Sequence, residues 1–110
     1  MNFHALYAGF NARDIDAVLA CLHPNVRWPN GWEGGTIDGR DAVRAYWTRQ
    51  WLAIDPTVTP ERIEELPDGR VRVTVRQHIK DLEGRTLADD VVTHLYTVRD
   101  GLVTEMEIAP

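Results

Sequence analysis

Among the four histidines of the chain, His94 is the one whose neighbours suggest chemistry. It lies between Val92 and Tyr96 at the spacing that places side chains on one face of a β-strand, and that face is otherwise apolar. An imidazole there titrates near neutral pH and can exchange a proton with a bound carbonyl compound. His94 is therefore the leading catalytic candidate. The alternative is a core histidine hydrogen-bonded to a backbone group or to Glu107.

Two carboxylates could orient the His94 ring. Glu107 lies opposite it if Asp100-Gly101 forms a two-residue hairpin turn, and a carboxylate that accepts one ring N–H raises the basicity of the other nitrogen. Asp90 is the second candidate. With Gln77 as its expected cross-strand neighbour, Asp90 would form part of a pocket wall, since a buried carboxylate needs a hydrogen-bonding partner. Alternatively, Gln77 and Asp90 both lie in water at the rim of the sheet.

Four tryptophans are many for 110 residues, and such rings can line an apolar ligand site. Trp28 and Trp32 flank Asn30 in a glycine-rich stretch. This stretch could act as a lid that brings Trp32 and Asn30 over a ligand. Trp47 and Trp51 are one helical turn apart, a spacing that is equally typical of ordinary packing between a helix and a sheet.

The sequence contains no motif for metal binding, nucleotide binding or serine-hydrolase catalysis. The other histidines, His4, His23 and His78, are not at metal-ligand spacing, and neither an HExxH pattern nor carboxylates at a fixed offset accompany them. The glycines form neither GxGxxG nor a phosphate-binding loop, and no serine lies in a GxSxG turn. We therefore expect no metal and no cofactor.

The elements that position these residues begin with helices. An apolar stripe at helical spacing predicts the first one: Phe3, Leu6, Tyr7 and Phe10. Asp14 can cap a second, short helix that ends before His23-Pro24. A strand over 26–28 and a loop over 29–39 follow. A third helix is expected from about Arg40 to Ile54, where Asp55-Pro56 ends it.

The rest of the chain predicts a sheet. A strand over 57–66 contains Pro60, which confines it to an edge or a bulge, and a strand over 70–80 alternates cleanly after the turn at 67–69. A two-residue turn at Glu83-Gly84 would set the register of the next hairpin. The expected pairs are Val71 with Tyr96, Val73 with His94, Val75 with Val92, and Gln77 with Asp90.

The last hairpin gives conflicting indications. A two-residue turn at Asp100-Gly101 pairs His94 with Glu107 and Tyr96 with Glu105. The more apolar face of the last strand is nevertheless the other one, formed by Leu102, Thr104, Met106 and Ile108. Either a β-bulge shifts the register, or the apolar face covers a dimer contact. Of these two, we predict the dimer contact.

Length and composition set the limits. The 110 residues suffice for one core, so we expect one domain over 1–110 of class α+β, since helices come first and a meander of strands follows. A net charge of −5 with scattered basic residues argues against nucleic acid. Cys21 is the one cysteine, so neither an intrachain disulfide nor a cysteine-based zinc site forms. With no signal peptide and no long apolar run, we expect a cytoplasmic protein that does not enter membranes.

Three segments resemble the SnoaL-like branch of the nuclear transport factor 2-like superfamily. Asn11-Ala12-Arg13-Asp14-Ile15-Asp16 is similar to the opening of these proteins, Gly39-Arg40-Asp41-Ala42-Val43 to their third helix, and Val98-Arg99-Asp100-Gly101-Leu102-Val103 to their last hairpin. The resemblance implies a cone-shaped roll of three N-terminal helices packed against a strongly curved, mainly antiparallel sheet. It also implies a pocket between the two layers and usually a homodimer.

Relatives in this superfamily include ketosteroid isomerase, polyketide cyclases, dehydratases and epoxide hydrolases, and the fold does not choose among them. The ketosteroid isomerase pattern puts a catalytic base near Asn30, a tyrosine near Leu6 or Tyr7, and an aspartic acid at His94, so all three positions depart from it. An amide is no base at neutral pH.

Two hypotheses follow. In the first, His94 with Asn30 and Tyr7 shifts a proton beside a carbonyl of a small apolar molecule, in an isomerisation, cyclisation or dehydration, and Tyr96 and the tryptophans line its site. In the second, the domain is a non-catalytic module for apolar-ligand binding or dimerisation.

Overall fold

Residues 1–109 are described by the computed structural model, and within them two helices are followed by two strands, a third helix and four more strands. Pro110, the last residue of the predicted domain, lies outside the described residues. The elements are α1 (Phe3–Asn11), α2 (Ile15–Leu19), β1 (Leu22–Pro29), β2 (Thr36–Asp38), α3 (Arg40–Trp51), β3 (Ile54–Glu65), β4 (Val71–Asp81), β5 (Thr86–Arg99) and β6 (Leu102–Ala109).

Each helix begins at a residue suited to that position. The Asn2 side chain accepts a hydrogen bond from the Ala5 amide at 3.0 Å and caps α1. Asp14 caps α2 in the same way through the Ala17 amide at 3.3 Å, as predicted. Gly39 precedes α3 with φ at 94°, a left-handed conformation that glycine adopts without strain.

The six strands form one sheet in the order β2-β1-β6-β5-β4-β3. All neighbours pair antiparallel except β1 and β6, which are parallel. The apolar face of the curved sheet packs against the helices around one buried core. The α+β class and the three-helix roll are therefore confirmed.

The β4–β5 hairpin has the predicted register. Val73 pairs with His94 and Gln77 pairs with Asp90. The side chains of Val71, Val73 and Val75 are buried. The turn is longer than two residues, since the last pair before it is Lys80 with Thr86. One extra residue on β5 then shifts the register between Lys80 and Ile79, and the pairs beyond this shift are the predicted ones.

The β5–β6 register differs from the prediction because β6 contains a bulge. Val98 pairs with Val103, but Thr97 pairs with Glu105, so Thr104 is an extra residue on β6. Its hydroxyl donates to the Thr97 carbonyl at 3.2 Å. The expected opposition of His94 and Glu107 is wrong. Ile108 pairs with His94, and the alternative that a bulge resolves the conflicting pattern is the correct one.

The loop over 29–39 and the boundary between the third helix and the next strand also differ from the predictions. The loop predicted over 29–39 contains β2, a strand too short to show alternation. The third helix ends at Trp51, not at Ile54, because Ile54 already pairs with Asp81 as the first residue of β3. Pro60 was placed correctly: β3 is an edge strand, and its register shifts just after this proline.

Candidate ligand-binding site

A cavity of about 210 Å³ lies between the helices and the concave face of the sheet and opens to solvent. Aromatic and aliphatic side chains from all three helices, from β1 and from β3 to β6 form its walls. Six residues predicted to form the site line this one cavity: Tyr7, Trp28, Trp47, Gln77, His94 and Tyr96.

His94 is the buried polar side chain of the core, with 6% of its surface exposed. It projects from β5 between Val92 and Tyr96, as the alternation predicted. Its Nδ1 lies 2.7 Å from the Tyr7 hydroxyl of α1, and the two rings stack with centroids 5.9 Å apart. The tyrosine therefore engages one ring nitrogen and leaves Nε2 for the cavity.

Nε2 is the ring nitrogen that remains for a ligand. His94 lines the cavity, its Nδ1 is engaged by Tyr7, and within residues 1–109 Nε2 forms no hydrogen bond. We therefore infer that Nε2 is the atom that His94 offers to the cavity.

Tyr96 completes a buried polar group with Tyr7 and His94, and we call these three residues the Tyr–His–Tyr cluster. The two tyrosine hydroxyls are 2.8 Å apart, and Tyr96 is 1% exposed. Trp28 and Phe3 pack against the Tyr96 ring, with centroids 6.3 Å and 4.8 Å away. The cluster thus lies at the inner end of the cavity under a layer of aromatic rings.

Burial keeps all three members of the cluster neutral. Desolvation lowers the pKa of His94 to about 4, so the near-neutral titration expected from the sequence does not occur. Desolvation raises the pKa of Tyr7, and so do the charge and the hydrogen bond of Tyr96. It also raises the pKa of Tyr96. At neutral pH the cluster offers hydrogen bonds without net charge.

A second polar position lies on α3. Gln50 Nε2 donates to the Tyr46 hydroxyl at 3.1 Å, and both side chains line the cavity. These two residues were not among the predicted site residues, although they fall on the same helical stripe as Trp47. Met106 was not among them either, because the incorrect register turned this residue away from the cavity.

Gln77 lines the cavity at some distance from His94. On β4 it lies four residues beyond Val73, the partner of His94, which is about 13 Å along a strand. Its ladder partner Asp90 is solvent-exposed and does not line the cavity. The alternative of a wet sheet rim therefore describes Asp90 but not Gln77.

Asn30 and Glu107 lie outside the cavity. The Asn30 carboxamide oxygen accepts hydrogen bonds from the amides of Trp32 and Glu33 at 3.1 Å and 2.8 Å, so it holds the turn after β1 together. Glu107 is exposed and pairs with Leu95 on the opposite face of the sheet. The structure therefore does not bring either residue together with His94.

Two of the predicted tryptophans also lie outside the cavity wall. Trp32 is 42% exposed in the turn after β1. Trp51 packs behind the wall against Phe10 and Trp47, with centroids 5.3 Å and 6.1 Å away, and the Arg13 guanidinium lies 5.0 Å from its ring. This position matches the alternative of ordinary helix packing.

Metal clusters and membrane-spanning helices are absent from residues 1–109. This part of the chain holds no group of three or more His, Cys, Asp or Glu side chains that could hold a metal ion. None of its helices is both long and apolar enough to cross a membrane. No aspartate or glutamate lines the cavity among the described residues.

The fold and the cavity define a class, the cone-shaped α+β domains of the nuclear transport factor 2-like type. The chain belongs to the SnoaL-like domain family, whose pattern it matches over residues 3–106. No curated protein sequence matches it.

Solved structures agree with this assignment. TerC, co-crystallised with polyporic acid, is 31% identical, with 96% of this chain and 85% of TerC covered and a TM-score of 0.83. A nuclear transport factor 2-like protein of unknown function from Burkholderia pseudomallei is 28% identical, with 96% and 85% covered and a TM-score of 0.83. A Mycobacterium tuberculosis protein in complex with estradiol-17beta-hemisuccinate shares the fold at 24% identity, 96% and 87% coverage and a TM-score of 0.81.

Proposed function

We propose that this protein binds a small, mostly apolar organic molecule and promotes proton transfer next to its carbonyl group, without a cofactor. The reaction class is isomerisation, cyclisation or dehydration. The observation that carries the proposal is the Tyr–His–Tyr cluster, which places one free ring nitrogen of His94 at the inner end of a cavity with aromatic walls.

The walls support an apolar ligand with few polar groups. Trp28, Trp47 and Phe10 provide flat apolar surface, and a small number of polar groups at defined places is typical of small-molecule sites. Relatives support the same class of ligand, since TerC was crystallised with polyporic acid and the M. tuberculosis protein with an estradiol derivative.

His94 supports the chemistry. A neutral imidazole in an apolar cavity can hydrogen-bond to a carbonyl oxygen, and this stabilises the negative charge that develops there when a water molecule entering from the open side takes a proton from the neighbouring carbon. Tyr7 holds the ring in place from its other side. Asn30, Asp90 and Glu107 do not line the cavity, so the proposed catalytic group is His94 with Tyr7 behind it.

One observation favours the second candidate function, a non-catalytic binding module. Removal of a proton from carbon needs a base, and among residues 1–109 no carboxylate lines the cavity. A carrier needs only the apolar walls and a hydrogen bond to orient its ligand.

Binding can be tested with α-tetralone, a bicyclic ketone, and with tetralin, the same skeleton without oxygen. Trp28 and Trp47 should report uptake of both ligands by fluorescence. His94→Phe keeps a ring but removes both nitrogens, so we expect it to weaken α-tetralone roughly tenfold and to leave tetralin unchanged. His4→Phe, on the exposed side of α1, is the matched control. Equal α-tetralone affinity in the wild type and His94→Phe would overturn the role of His94.

Catalysis is tested separately by hydrogen exchange. The hydrogens on the carbon beside the carbonyl of α-tetralone can be followed by NMR in heavy water. We expect the wild type to accelerate their replacement by deuterium and His94→Phe to lose this acceleration. Binding without accelerated exchange would favour the carrier.

A homodimer and a cytoplasmic location remain predictions. The dimer is supported by the sheet face opposite the cavity, where the half-buried Leu95 of β5 lies between Arg72 on β4 and Glu107 on β6, and the exposed Val91 lies beside Arg76 on β4.

A further inference from the structure

The Tyr7 hydroxyl has one proton and two hydrogen-bonding neighbours. His94 Nδ1 is 2.7 Å away on one side and the Tyr96 hydroxyl is 2.8 Å away on the other. Each contact needs one hydrogen, so the protons run along the three residues in one of two directions, or Tyr7 accepts at both contacts and leaves its own buried hydroxyl proton unpaired.

In the first direction, Tyr96 donates to Tyr7, and Tyr7 donates to Nδ1 of His94. Both hydroxyl protons are then used, and Nδ1 acts as the acceptor. The ring proton of neutral His94 must therefore lie on Nε2, which faces the cavity.

In the second direction, Nδ1–H donates to Tyr7, and Tyr7 donates to Tyr96. The Tyr96 proton then needs another acceptor, and among residues 1–109 its hydroxyl has no partner besides Tyr7. Tyr96 is 1% exposed, so water does not replace that partner. An unpaired buried O–H is costly enough to favour the first direction by about tenfold or more.

We propose that Tyr7 and Tyr96 fix His94 as the Nε2–H tautomer and so make it a hydrogen-bond donor into the cavity. The two tyrosines are positioning residues: they act through His94 and set its proton. For its ligand chemistry this inference rests on the proposed function, but the tautomer is a property of the protein without ligand.

The tautomer defines the ligand that His94 can recognise. An Nε2–H group pairs with an acceptor such as a ketone, quinone or phenolate oxygen, and it cannot pair with a group that only donates, such as an ammonium. We therefore assign the inner end of the cavity to the oxygen of a carbonyl or enolate, and not to an amine.

The direct test is a long-range ¹H–¹⁵N correlation spectrum of the ¹⁵N-histidine-labelled protein without ligand at neutral pH. We expect the His94 signals to show a protonated Nε2 and an unprotonated Nδ1. A protonated Nδ1 would overturn the proposal, whether or not any ligand binds.

Two variants test the direction of the chain of hydrogen bonds. Tyr96→Phe should keep the Nε2–H signature, because Tyr7 still has Nδ1 as its acceptor. Tyr7→Phe should show a mixture of the two tautomers, since Nδ1 then no longer accepts a hydrogen bond from the Tyr7 hydroxyl. Unchanged nitrogen shifts in Tyr7→Phe would contradict the proposal, because Tyr7 would then not set the proton of His94.

The ligand class is tested with α-tetralone and with the ammonium of α-aminotetralin, which has the same skeleton. We expect the ammonium to bind the wild type at least roughly tenfold more weakly, and His94→Phe to reduce this preference. A wild type that prefers the ammonium would overturn the donor role. Failure of both to bind, with the Nε2–H signature present, would count against the proposed function and not against the tautomer.

Discussion

His94 combines burial with neutrality. Its pKa of about 4 follows from desolvation by burial, and among residues 1–109 no carboxylate lines the cavity around the imidazole. In an unfolded chain the pKa of a histidine is about 6.5. Between these two values the unfolded state binds a proton that the folded state does not, so the fold loses stability as the pH falls.

The resulting prediction concerns stability against pH. Folding lowers the pKa of His94. The resulting loss in the free energy of unfolding is absent above about pH 6.5 and grows to about 3 kcal/mol at about pH 4. We expect the free energy of unfolding in urea to fall more between these values in the wild type than in His94→Phe. His4→Phe is the control and should follow the wild type. Parallel curves for the wild type and His94→Phe would show that His94 titrates normally.

At the scale of the elements, α1 carries Tyr7 and must be held against the sheet. Asn11, its last residue, forms two hydrogen bonds with the backbone of Val58 on β3, at 2.7 Å from Nδ2 to the carbonyl and 2.9 Å from the amide to Oδ1. The side chain thus pairs with the edge strand as a neighbouring strand would. Val58 lines the cavity, so this link also positions the cavity wall.

We expect Asn11→Ala to lower the free energy of unfolding by about 1–2 kcal/mol, because two backbone groups of β3 lose their partner. Hydrogen exchange of the Val58 amide should accelerate at the same time. Asn25→Ala, at an exposed asparagine of β1, is the matched control and should change neither quantity. An unchanged Val58 amide in Asn11→Ala would show that the link to β3 is not maintained in solution.

At the scale of the whole molecule, the sheet face opposite the cavity has opposite charges on its two sides. Leu95 of β5 lies between Arg72 on β4 and Glu107 on β6. In a twofold dimer whose axis runs along β5, the β4 side of each copy faces the β6 side of the other, so arginine meets glutamate. An axis across the strands would place arginine over arginine, so charge selects the first geometry.

The prediction for assembly is a dimer through this face. Leu95→Arg places a charge at its centre, so we expect sedimentation to show a shift from dimer to monomer. Leu52→Arg, at the exposed C-terminal end of α3, is the control and should leave the dimer intact. A wild type that sediments as a monomer at high concentration would contradict the homodimer, and a dimeric Leu95→Arg would place the interface elsewhere.

The sequence by itself determined the order of the elements apart from β2, and it identified six of the residues that line the cavity. Periodic apolar residues marked α1, α3 and β4, and alternation placed His94, Tyr96 and Gln77 on the inner face. These are local patterns, in which each side chain's direction follows from its position along one helix or strand.

Only the tertiary structure decided which polar groups meet. The bulge at Thr104 replaced Glu107 by Ile108 opposite His94, and a single extra residue of this kind exchanges the two faces of a strand. The partner of His94 is Tyr7, which is 87 residues away in the sequence. No local pattern encodes that hydrogen bond, nor the burial that lowers the histidine pKa, since both depend on how α1 packs on β5.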